Sequence, residues 1–106
     1  MTIDWLVEKY LPMPRKTCYL LLSVLEPCPV YEICQTASEL SNGEFDDEEN
    51  LRESLEDQVR ILEHDKLIQR VFIEGEEYME LTELGTKLLI CELTRVQETE
   101  KEILSV

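Results

Sequence analysis

Four cysteines, one histidine and 24 carboxylates are the groups in this 106-residue chain that could do chemistry, and their spacing argues against most of it. Cys18, Cys28, Cys34 and Cys91 form no Cys-x-x-Cys pair, and His64, beside Asp65, has no second ligand at metal-site spacing. No glycine-rich phosphate loop, nucleophile elbow or His-Glu-x-x-His motif occurs. Carboxylate pairs are frequent only because carboxylates are, so their spacing singles out no acid–base couple. The chain therefore reads as non-enzymatic, with no catalytic, cofactor or metal site. Cys18, Cys34 and Cys91 fall within apolar helical patterns, where a thiol packs as a small hydrophobe. A thiol-based redox or metal sensor, built from distant positions, stands as a third reading of function.

The carboxylates carry more information as a field than as catalysts. The formal net charge is −14, a sign that repels nucleic acid and anionic membranes and favours a basic partner. Between Glu39 and Asp57 lie nine acidic residues and a single base, Arg52. Within that stretch Glu44, Asp46, Asp47, Glu48, Glu49, Glu53, Glu56 and Asp57 form a candidate partner-binding face, with a merely solubilising surface as the alternative. No apolar run approaches the roughly 18 residues of a membrane span. The opening Met1-Thr2-Ile3-Asp4-Trp5 lacks a basic region followed by an apolar stretch, so the cytoplasm is the expected compartment.

One domain, 1–106, suits this length. Ile3, Leu6, Val7, Tyr10 and Leu11 recur at helical spacing and predict an N-terminal helix over 1–12, stopped by Pro12 and Pro14. Helices are expected from Pro14 to Leu25 and from Val30 to Leu40, closed at Ser41-Asn42-Gly43. Asp46 or Asp47 is a plausible N-cap for a fourth helix, running to about Asp65, whose buried stripe is Leu51, Leu55, Val59 and Leu62. Ile68 to Ile73 and Glu77 to Leu81 read as strands around a Gly75-Glu76 turn, a register that sets Ile73 against Tyr78 and Phe72 against Met79. Thr82 caps the last helix, which occupies 83–106. There Leu84, Leu88 and Cys91 face the core, and Leu89, Leu93, Val96 and Ile103 form a second stripe. That stripe is the expected interface of a homodimer, with Ile3 and Leu6 of the first helix packing against it from either the same or the partner chain.

Val59-Arg60-Ile61-Leu62-Glu63-His64-Asp65-Lys66-Leu67-Ile68, the hairpin, and Met79-Glu80-Leu81-Thr82-Glu83-Leu84-Gly85 follow one another in the order of a winged helix. Together with Pro29-Val30-Tyr31-Glu32-Ile33, the chain over residues 17 to 95 resembles the PadR-like group of winged-helix regulators. Lys66 replaces a glycine of that pattern and Met79 a tyrosine. The resemblance implies a mainly α fold with a small β-hairpin: a winged helix-turn-helix core over 14–82 with added N- and C-terminal helices. It also implies a dimeric DNA-binding repressor, for which Arg52, Gln58, Arg60 and Arg70 would be the contacts.

The charges oppose that second implication. Glu53, Glu56 and Asp57 sit on the would-be recognition helix, and Glu74, Glu76, Glu77 and Glu80 on the wing. A groove-reading element needs cations for phosphate and donors for base edges. A regulator acting through protein contacts on its acidic face is therefore the leading expectation, and DNA binding the alternative.

Overall fold

A computed structural model describes residues 3–104, and side chains as far as residue 100. In chain order it contains α1 (Ile3–Tyr10), α2 (Arg15–Ser23), β1 (Cys28–Pro29), a 3₁₀ turn (Val30–Glu32), α3 (Ile33–Leu40), α4 (Leu51–His64), β2 (Ile68–Ile73), β3 (Glu76–Leu81) and α5 (Glu83–Leu104). The strands form an antiparallel sheet in the order β1-β3-β2. Mainly helical, with a short sheet, this is a winged-helix fold.

The core follows from the apolar spacing. Leu20, Leu21 and Val24 of α2, Ile33 and Ala37 of α3, and Leu55 and Leu62 of α4 are buried together with Met79 of β3 and Leu88 of α5. Leu51 and Val59 complete the α4 stripe at half-burial, as the spacing predicts. Thr82 opens α5 as expected: its hydroxyl accepts the Gly85 N–H at 3.0 Å and reaches back to the carbonyls of Lys66 and Leu67. Gly85 is required by contact, since a Cβ there would lie 2.1 Å from the Leu67 carbonyl oxygen.

Three local expectations are corrected. The hairpin turn is Glu74-Gly75, not Gly75-Glu76: both residues have positive φ, 51° and 84°, the requirement of a type I′ turn. The register therefore sets Ile73 against Glu76 and Phe72 against Glu77. Neither Asp46 nor Asp47 caps α4; Asn50, at φ 56°, precedes Leu51, and the acidic stretch before it is a series of turns. Among the cysteines, Cys18 and Cys34 pack half-buried against the core as expected, whereas Cys91 is half-exposed and the fully buried thiol is Cys28, beside Met79 in the sheet.

Two buried carboxylates, which spacing alone does not mark out, fasten the N-terminal segment. Asp65, 2% exposed at the end of α4, accepts hydrogen bonds from Lys9 (2.6 Å) and Tyr10 (2.5 Å) of α1. Glu92, 4% exposed on α5, accepts the Met13 backbone N–H at 3.2 Å and forms a bidentate pair with Arg95. Burial opposes ionisation of Asp65, but the hydrogen bonds from Lys9 and Tyr10 and the nearby positive charge outweigh it and hold the carboxyl below its usual range. The Arg95 hydrogen bonds, against burial and with help from the Met13 amide, depress Glu92 likewise.

Candidate functional site

The predicted acidic residues occupy one continuous stretch: Glu44, Asp46, Asp47, Glu48 and Glu49 on the turns between α3 and α4, and Glu53, Glu56 and Asp57 on α4 itself. Local geometry explains the turns. Asn42, Gly43 and Asn50 all adopt positive φ, and small or amide side chains tolerate that backbone best. The field is partly neutralised by the chain's own cations. Arg15 pairs with Glu44 at 2.8 Å, Lys16 with Glu48, Arg52 with Glu56 at 3.0 Å and Arg60 with Asp57. Asp46, Asp47, Glu49 and Glu53 are exposed and make no ion pair among the described residues. The uncompensated charge thus concentrates on the loop and the first turn of α4.

The residues considered for DNA contact are arranged unfavourably for it. Arg70 is engaged by Glu63 (2.7 Å) and Glu77 (3.2 Å), so each of the three arginines already faces a carboxylate. Gln58 is turned inward and accepts a hydrogen bond from the buried Thr17 hydroxyl. Half-buried there, its amide oxygen is already committed to α2. On the wing, Glu74 and Glu76 stay exposed and unpaired among the described residues, and Glu80 accepts from Gln69.

The second stripe of α5 divides on inspection. Leu89 is buried in the chain's own core, as is Leu6, which is fully covered. Both belong to intramolecular packing of α1 against α5, not to an outer surface, because α1 lies along the very face that periodicity alone leaves open. Ile3 is half-buried in the same packing. Leu93, Val96 and Ile90 remain exposed, as does nearly half of Trp5 on α1. Ile103 lies on the last turn of α5, outside the residues whose side chains are described.

A groove of about 230 Å³ runs between the 3₁₀ turn with α3 and the middle of α4, floored by Val30, Ile33, Cys34 and Val59. Its rim arginines are those already paired, so it offers no free cation to an anionic ligand. Burial pushes the thiols of Cys18, Cys28 and Cys34 up, away from the reactive thiolate form. Among the described residues no group of three His, Cys, Asp or Glu side chains is placed to hold a metal ion, and no helix is long and apolar enough to cross a membrane.

Helix pair, recognition-position helix, hairpin and following helix define a winged-helix protein whose exposed face is acidic. Among solved structures, the crystal structure of SSV1 F-93 is similar, with a TM-score of 0.56 over 85% of this chain and 91% of that one, at 20% identity. No protein-family model and no curated protein sequence matches the chain.

Proposed function

We propose that this chain is a non-enzymatic regulatory protein of the winged-helix type, related to PadR-like regulators in plan, that works by binding a basic protein partner. The observation that carries the reading is the contrast across the would-be DNA face. Among the described residues Asp46, Asp47, Glu49 and Glu53 are exposed without counter-ions, while Arg52, Arg60 and Arg70 are each held by carboxylates and Gln58 is turned toward Thr17. Such a surface repels phosphate and attracts cations at the place where related folds meet nucleic acid. It suits a mimic of DNA charge, occupying a DNA-binding protein. Cytoplasmic residence fits this role.

The reading includes a homodimer through α5. Leu93, Val96 and Ile90 form an exposed apolar strip on a helix that extends beyond the core contacts of Leu88, Leu89 and Glu92. A few unsupported turns of helix are marginal in water, and a second copy of the same helix supplies the missing packing.

The test is a binding comparison. The full chain and a variant carrying Asp46→Asn, Asp47→Asn, Glu49→Gln and Glu53→Gln are titrated with a basic DNA-binding protein from the same cell and with duplex DNA. The reading expects the basic protein to bind, the quadruple variant to bind at least tenfold more weakly, and DNA not to compete by binding the chain itself. Specific binding of the wild-type chain to duplex DNA at physiological salt overturns it.

A further inference from the structure

β2 forms an outer edge of the sheet, and its free side is not blunted in the usual ways. Only β3 pairs with it, and no residue from Ile68 to Ile73 makes a further backbone hydrogen bond among the described residues. Proteins commonly guard such an edge with proline, lysine, a bulge or a covering element. Here the strand Ile68-Gln69-Arg70-Val71-Phe72-Ile73 has no proline, no lysine and, in a chain of charge −14, no carboxylate. Its side chains near the tip are apolar and open, with Phe72 70% exposed.

The hairpin fixes which backbone groups face outward. A two-residue turn makes Ile73 and Glu76 a hydrogen-bonded pair, and the pattern alternates from there, so Val71 and Gln69 also bond to β3. The N–H and C=O groups of Ile68, Arg70 and Phe72 therefore point to the free side.

We propose that β2 pairs antiparallel with β2 of a second copy, about a two-fold axis at Val71. In this register the backbone of Arg70 exchanges hydrogen bonds with that of the second copy's Phe72, and the reverse. The guanidinium of Arg70, already ordered by Glu63 and Glu77, meets the exposed ring, a favourable cation–aromatic contact. Val71 stands against Val71, and Ile73 over Gln69. Moving the axis to Arg70 also satisfies the backbone but sets like charges directly opposite, which is unfavourable. Moving it to Phe72 sets Arg70 against Glu74, whose positive φ takes it out of the strand. Charge and backbone geometry together select the Val71 axis and a second copy as the occupant. The contact uses different residues from the α5 strip, so either can fail while the other stands.

The experiment is a disulfide trap in the full-length chain. A pair flanked by the hydrogen-bonded residues brings Val71 Cα atoms to about 4.5 Å, inside the range a disulfide bridges. Mild oxidation of Val71→Cys is expected to give covalent dimer at least tenfold above both the wild-type chain and Gln69→Cys. Adding Phe72→Pro removes it, because the lost N–H is one that β3 does not use. A yield no higher than the wild type, equal yields at positions 69 and 71, or a yield indifferent to Phe72→Pro overturns the pairing. Amide exchange of the unmodified protein reads the same contact without a variant. The Arg70 and Phe72 amides should slow at least tenfold between roughly 5 and roughly 500 µM, whereas rates independent of concentration overturn the proposal.

Discussion

The hydroxyl of Thr17 donates a hydrogen bond to the side-chain carbonyl of Gln58 at 2.7 Å, tying α2 to the middle of α4. It commits to the interior the one uncharged amide that α4 has for reading a base edge. The arginines on that helix face Glu56 and Asp57. We therefore expect no sequence-specific binding of duplex DNA tighter than roughly micromolar at physiological salt, because phosphate neutralisation supplies most of such affinity. Fluorescence anisotropy against a random duplex library checks this.

Replacing Leu93 and Val96 by Glu should abolish the α5 contact and leave a folded chain with no association beyond the β2 pairing. Both side chains are exposed, so the domain's own core loses little. Removing two such side chains from a symmetric contact forfeits several kcal/mol at about 25 cal/mol per Å² of apolar area. Sedimentation of wild type and variant at tens of micromolar, with circular dichroism as the fold control, gives the answer; a wild type already monomeric there means the strip is not a dimer contact.

Acid should loosen the N-terminal segment. Asp65 and Glu92 both titrate below their ordinary ranges in the folded chain, so the stability they contribute is present above the unfolded-state pKa of about 4. It is lost as pH falls further, through the folded-state values. Asp65→Asn should cost about 2 kcal/mol at neutral pH, the worth of its charged hydrogen bonds, and flatten this acid limb. Urea melts from pH 7 to pH 2 on both proteins measure the difference.

Two backbone positions, Lys66 just after α4 and Gly85 in the first turn of α5, should respond in opposite directions. Gly85→Ala forces a methyl against the Leu67 carbonyl and the Leu81 side chain, and is expected to cost about 2–3 kcal/mol. Lys66 holds φ at 62°, where a side chain is strained, so Lys66→Gly should be neutral or stabilise by up to about 1 kcal/mol. Thermal denaturation of each single variant separates the two effects.

Much of this was legible in residue spacing, and the rest fails for identifiable reasons. The α4 stripe and the Thr82 cap with Gly85 follow from periodicity and local hydrogen bonding, which adjacent residues encode. The pattern glycine replaced by Lys66 marks a left-handed position, a constraint that survives the substitution. The hairpin register was misread because either of two residue pairs could form the turn, and only paired positive φ at Glu74 and Gly75 decides. Spacing leaves open whether Leu6 meets Leu89 in one chain or across two, because nothing local states that α1 lies against its own α5. Asp65 and Glu92 looked like two more carboxylates in an acidic chain; their roles depend on partners 55 and 79 residues away.

Those long separations bear on how the chain is made. During synthesis α1 leaves the ribosome well before either of its anchors. Tyr10 has no acceptor until Asp65 is out, and the Met13 amide has none until Glu92 emerges. Leu6 meanwhile stays wet until α5 can cover it. α1 thus emerges as an unsheltered amphipathic peptide, and closure of the domain waits for Glu92. A nascent chain stalled before Glu92 would expose α1 to proteases that the folded domain resists.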